Sequence, residues 1–246
     1  MKSLQEISNE PPKQASKKEC KKALKVFHEQ LFELQNVFYA DARFSLLIIL
    51  QGMDTSGKDG VIRHVMTCIN PMGLHVKSFK KPSEEEQNHD FLWRIYPHIP
   101  AKSMIEVFNR SYYEDILVPS VNNTLPNKRL QHRFKLINEL EQHFIQDDIH
   151  VLKFFLHISK DKQQEKIKNR LIKPHKRWKY SIQDEKAAKN WDAYAKVYNQ
   201  LIKRCNQVPW HIIPANKRWY RNYSVAKILT EHFQQLNLKY PSLKKE

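Results

Sequence analysis

One stretch of eight residues, Gly52-Met53-Asp54-Thr55-Ser56-Gly57-Lys58-Asp59, carries the residue types of a phosphate cradle. Seven of its eight places satisfy the pattern GxxxxGK[ST]. Glycines at both ends let backbone N–H groups turn inward around phosphate oxygens. A helix starting near Gly57 would aim its positive dipole end at the same anion. Lys58 adds a full charge that can follow a phosphoryl group in transfer. Gly52, Thr55, Ser56 and Gly57 complete the cradle. Asp54 is unusual, because a carboxylate beside phosphates is repulsive unless a cation lies between them. It is therefore the expected holder of Mg²⁺ or Mn²⁺. Asp59 stands where Ser or Thr would ordinarily meet the metal. Three roles stay open for it: metal ligand, helix cap, or partner of a cation such as Arg63.

Three further constellations suit the same chemistry. Asn109-Arg110-Ser111-Tyr112-Tyr113-Glu114-Asp115 offers a neutral oxygen donor, Asn109, where an acidic metal-holding residue often sits. Arg110 beside it could clamp a phosphate bidentately, or simply pair with Glu114 or Asp115. Lys77-Ser78-Phe79-Lys80-Lys81-Pro82, followed by a segment ending Asp90-Phe91-Leu92-Trp93-Arg94, reads as a flap that closes over phosphates and excludes water. Packing and nucleoside contact are equally open for Phe91, Leu92 and Trp93. Arg170-Leu171-Ile172-Lys173-Pro174-His175-Lys176-Arg177-Trp178-Lys179 places five cations in ten residues. A long polyanion needs such a row, and Trp178 and Tyr180 keep nucleic acid among the candidates.

The elements that must position these groups alternate. Apolar runs at Phe44–Gln51, His75–Phe79, Met104–Phe108, His150–Ile158 and Trp210–Pro214 predict strands. Apolar residues at spacings of three and four predict helices over Glu19–Ala40, Val61–Ile69, Arg129–Gln146, Asp161–Leu171, Ala187–Cys205 and Tyr223–Leu236. Ser83 and Glu86 form a capping box, which predicts a helix running through Trp93. Strands alternating with helices imply an α/β fold with about five parallel strands. Residues 1–19, polar and carrying Pro11-Pro12, read as a mobile tail.

Composition narrows the class. Of 246 residues, 41 % are hydrophobic, enough for a core. The longest apolar run is too short to span a bilayer, and the N-terminus lacks an apolar signal region. Cys20, Cys68 and Cys205 are odd in number and far apart, so neither a disulfide framework nor a cysteine-based zinc site is written. A reducing cytoplasm is the expected location. The formal net charge is +16, of which residues 153–204 carry +10. That field concentrates polyanions.

The blocks GMDTSGKDG, FKKPSEEEQNHDFLWR, FNRSYYEDILV, RLIKPHKRWKYS and WHIIPANKRW, in this order, resemble polyphosphate kinase family 2 over roughly residues 20–236. The resemblance implies a P-loop kinase fold with a helical lid, here at 77–100 within a single domain spanning 20–246. It also implies Mg²⁺-dependent, reversible transfer of the terminal phosphoryl group of polyphosphate to a nucleotide. On matching positions it assigns Asp54, Lys58, Asn109, Arg110 and Glu114 to catalysis. Asp59, Arg133, Arg170, Lys173, Lys176 and Lys179 join the phosphate-binding set, and Lys80, Lys81, Asp90 and Arg94 fall in the lid. Asn109 with Glu114 is similar to the subgroup that phosphorylates AMP as well as ADP; guanine nucleotides stay open as acceptors. A homodimer or homotetramer is implied, with no membrane or nucleic-acid partner. Two other readings compete: an ATP-using nucleoside monophosphate kinase, and a nucleic-acid-binding protein with a vestigial P-loop.

Overall fold

Five strands form one sheet: β1 (Ser45–Gln51), β2 (Leu74–Ser78), β3 (Ile105–Asn109), β4 (Ile149–His157) and β5 (Trp210–Pro214). The computed structural model that shows this describes residues 3–242, apart from the side chains of residues 182, 183, 184 and 186. Every pairing is parallel and the order is β2-β3-β1-β4-β5. All seven residues of β1 are buried, as a central parallel strand covered on both faces requires. Around β1 the connections leave toward opposite sides of the sheet, and ligands bind at such a switch point, beyond the carboxyl ends of the strands.

Strand alternation sorts the helices into two layers. On β4, His150 meets His232 of helix α9 (Arg218–Gln235), and Phe38 of α1 (Lys17–Asp41) packs edge-on against Phe233 of α9. On the other face of β4, Lys153 meets Glu141 of α5 (Asn127–Gln146) and Phe155 meets Tyr198 of α8 (Trp191–Arg204). Helix α2 (Lys58–Val65) follows the Gly52–Gly57 loop, and α4 (Glu114–Asn122), absent from the periodicity reading, follows the Asn109–Tyr113 turn. Helix α6 (Lys160–Ile172) follows β4.

Two expected helices are corrected, and two further segments take a definite form. The expected Ser83–Trp93 helix stops early: α3 spans only Glu84–Asn88, because His89 is extended and Asp90 then caps the N–H of Leu92. The lid expected at 77–100 is an edge strand, this short helix and turns, pinned by buried Phe79, Phe91, Leu92, Arg94 and Ile95. The Ala187–Cys205 helix is two, α7 (Ile182–Lys189) and α8, parted at Asn190. The polar N-terminus, read as mobile, is docked from residue 3 onward, its first two residues lying outside the described range. Leu4 is buried and its N–H donates to Asn199 Oδ1, His157 Nε2 donates to the Ile7 carbonyl, and Asn216 Nδ2 donates to Glu10 Oε1. Polarity hid this attachment, which one leucine, main-chain groups and the side chains of Asn9 and Glu10 make.

Candidate active site

The loop after β1 takes a conformation that glycine permits. Gly57 has φ 108°, and a Cβ there would collide with the guanidinium of Arg221. Lys58, buried, donates to the carbonyls of Gly52 (2.8 Å) and Met53 (3.3 Å), which holds its ammonium across the loop mouth. Burial, then Arg110, pushes its pKa down against Asp54, Glu114 and Asp59. An arriving phosphate opposes that depression.

The turn after β3 brings in the second group. Arg110 adopts a left-handed φ of 65°, an uncommon choice for a residue with a side chain, and its Nη2 donates to Asp54 Oδ1 at 2.7 Å. Asp54, not Asp115, is therefore its ion-pair partner. Burial works against the Arg110 charge, but Glu114 and Asp54 outweigh it and hold the guanidinium firmly protonated. Glu114, half-buried, is raised above the usual carboxylate range by burial, despite Arg110 and Lys58. Asn109 Nδ2 donates to Asp59 Oδ1 at 2.9 Å, and Asp59 Oδ2 faces Lys179 Nζ at 3.9 Å. Asp59 thus sits in the first turn of α2 and pairs with Asn109 and Lys179.

A cleft of about 500 Å³ gathers Asp54, Gly57, Lys58, Asp59, Arg110, Arg170 and Lys179. A larger one of about 870 Å³ opens from the same loop and takes in Arg170, Lys173, Lys176 and Lys179. The cationic row and the glycine loop therefore share one recess. The row itself runs from the end of α6 through a 3-10 turn, Pro174–Lys179, whose residues are mostly exposed; Trp178 is 78 % exposed. Arg170 Nη1 donates to the Lys179 carbonyl, which folds the turn back onto α6.

Other expected residues lie apart from this recess. Arg94 is buried, donating to the Lys80 carbonyl and facing Asp115 and Glu86. Arg133 donates to the Asp115 carbonyl and lies over the Phe91 ring. Lys81 and Asp90 are exposed, and of the lid set only Lys80 lines the smaller cleft. Phe91 and Leu92 prove to be packing residues, and Trp93 stacks on His89. Periodicity and motif missed two cleft residues, Arg221 and Lys166, and one that braces the loop from behind, Gln163. Arg221 of α9, buried with Asn222 Oδ1 and the Ser56 carbonyl as acceptors, has its pKa lowered to about 10 by burial and by Arg218. Lys166 of α6 donates to the Thr55 carbonyl, and burial, then Arg221 and Lys162, lower it to about 8. Gln163 Nε2 donates to the Asp54 carbonyl. The one sequence signal for Arg221 and Lys166 is excess positive charge, which does not say which cations turn inward.

The oxygen donors at the loop suit a hard divalent cation. Asp54 and Glu114 carry carboxylates, and the buried Gln51 Oε1 has no hydrogen-bond partner. Among the described residues no three His, Cys, Asp or Glu side chains gather as a full ligand set. A bound Mg²⁺ or Mn²⁺ would thus keep waters and substrate oxygens as its other ligands.

A parallel sheet, a glycine loop entering a helix, and converging lysine and arginine side chains define a P-loop phosphotransferase. Residues 14–241 match the model of the family described as polyphosphate kinase 2, and the chain belongs to that family. It is 41 % identical over 230 residues to an AMP/ADP-polyphosphate phosphotransferase of Meiothermus ruber, covering 93 % of this chain and 86 % of that one. It is 38 % identical over 240 residues to an ADP-polyphosphate phosphotransferase of Rhodopseudomonas palustris, covering 92 % and 83 %. The crystal structure of polyphosphate kinase 2 from Arthrobacter aurescens superposes with a TM-score of 0.95 at 36 % identity, over 99 % of this chain and 89 % of that one.

Proposed function

We propose that this chain moves the terminal phosphoryl group of inorganic polyphosphate onto AMP or ADP, and back, as one P-loop kinase domain with a divalent cation. The observation that carries the reading is that two clefts share Gly57, Asp59, Arg170 and Lys179, with Lys58 and Arg110 lining one and Lys173 and Lys176 lining the other. A nucleoside monophosphate kinase has no use for so long a row, and a nucleic-acid binder has no use for Lys58 and Arg110 at one focus. The names of the two relatives above support AMP and ADP as acceptors.

The chemistry follows from position and charge. Donor phosphates lie along Lys173, Lys176, Lys166 and Arg221, with the terminal one at the loop. Lys58 and Arg110 contact the group in transfer and take up the charge that builds on its oxygens. Arg110 must exchange its carboxylate partner for phosphate, and its strained backbone already aims it at the loop mouth. Asp54 holds the cation, with Glu114 within reach of the same charges; the cation, when bound, offsets the negative charge of facing phosphates. The attacking oxygen is already an anion, so little proton transfer is required. The exposed turn at 174–179, which lines the larger cleft through His175, Lys176, Trp178 and Lys179, takes the covering role expected of 77–100.

The decisive experiment incubates the protein with Mg²⁺, polyphosphate and AMP, ADP, GMP or GDP, without ATP. We expect ADP from AMP and ATP from ADP. Product formed only when ATP is supplied as donor would replace this reading with that of an ordinary monophosphate kinase. The cytoplasm is the proposed location; no helix among the described residues is long and apolar enough to cross a membrane. The homodimer or homotetramer implied by the family resemblance is checked by sedimentation.

A further inference from the structure

Behind the Asn109–Asp115 turn lies a charged cluster sealed from water. Lys153, near the middle of β4, and Glu141, on α5, are both fully buried and pair at 2.7 Å. Lys153 Nζ also donates to Tyr113 Oη and to the Cys205 carbonyl, each at 2.9 Å, so its three protons all have acceptors. Glu141 Oε1 accepts from both Tyr112 Oη (2.9 Å) and Tyr113 Oη (2.5 Å). The ammonium lies 4.7 Å from the centre of the Trp210 ring.

Such a pair is a poor way to gain stability. Apolar residues of similar volume commonly do as well or better, because two charges must be stripped of water. Position is the better explanation. Two consecutive tyrosines are tethered by their hydroxyls to one carboxylate, and they sit between Arg110 and Glu114 in the chain. Ser111 Oγ, accepting from Gln51 Nε2 and from the Tyr113 N–H, fastens the same turn to the end of β1. The strained Arg110 therefore rests on a turn clamped from below at two points.

We propose that the Lys153–Glu141–Tyr112–Tyr113 cluster is a positioning device that fixes Arg110 and Glu114 at the reacting end of the recess. The inference rests on the phosphoryl-transfer reading above. None of the four residues contacts substrate; they act through the turn, where an error of about 1 Å can cost about a hundredfold in rate.

The test replaces the pair with apolar residues, Lys153→Met with Glu141→Leu, so that no lone charge is left buried. The double variant should melt near the wild-type temperature and keep its KM for polyphosphate, while kcat falls about tenfold or more. Tyr113→Phe, which removes one hydroxyl and spares the ion pair, should show a smaller fall of the same kind. A folded double variant with kcat within about twofold of wild type would overturn the proposal. If the double variant does not fold, Tyr112→Phe with Tyr113→Phe is judged by the same threshold. A crystal structure of the folded variant gives a reading independent of turnover. Loss of the Arg110–Asp54 contact is expected, and its retention counts against the cluster even if wild type proves inactive with polyphosphate. That inactivity would itself refute only the proposed function.

Discussion

In the proposed reaction, transfer depends on Lys58 and Arg110. Lys58→Ala removes one electrostatic contact to the moving phosphoryl group, an effect of about 3 kcal/mol or about a hundredfold in kcat/KM. A coupled ATP-forming assay with polyphosphate and ADP measures it. Lys166 carries a pH signature. Its pKa is lowered to about 8, so it is charged below that value and neutral above it. Polyphosphate affinity should therefore decline as pH rises through about 8, and Lys166→Met should flatten that decline. The same shift has a consequence for stability. An unfolded lysine titrates near 10.5. Below about pH 8 both states hold the proton and the buried charge costs stability in full; that cost is relieved as pH rises toward 10.5. Bound polyphosphate relieves it at neutral pH instead, so the ligand's gain in thermal midpoint should shrink in Lys166→Met. Of these residues, Lys58 was legible at once because its glycine neighbours announce a loop. Lys166 and Arg221 were not, since helical spacing alone does not distinguish a cation facing solvent from one turned onto the loop.

Among the elements, the glycine loop depends on α9 as much as on β1. Arg221 fills the space that side chains at 57 and 60 would need. The N-terminal segment depends on main-chain hydrogen bonds to β4 and α8 and on the seat of Leu4. Deleting residues 1–11 should lower stability by about 2–4 kcal/mol, the sum of one buried leucine and a few hydrogen bonds. Thermal unfolding checks this; an unchanged midpoint would show the segment to be unattached in solution. Strands read well from sequence because burial on both faces leaves near-continuous apolar runs. Helix ends read less well. Asn190 parts α7 from α8 just before the apolar stripe begins at Trp191, and the capping box at Ser83 marked a true start but not how soon His89 would end the helix.

For the whole molecule, charge asymmetry is the governing property. With +10 concentrated in residues 153–204, polyphosphate binding should weaken steeply with added salt through loss of counterion release. The acceptor nucleotide, carrying fewer charges, should be much less affected. Initial rates at 50 and 200 mM KCl, varying each substrate in turn, test this. Equal salt dependence for both would remove the cationic row from the donor site.

The order of the five strands, the phosphate loop and the sign of the partner's charge were all readable along the chain, because each rests on local spacing or on composition. Tertiary structure decided which charges converge. It set Arg110 on Asp54, turned Arg221 and Lys166 of distant helices onto the loop, and turned Arg94 and Arg133 onto Asp115, apart from the clefts. Convergence of side chains far apart along the chain depends on how layers stack. No local pattern records it.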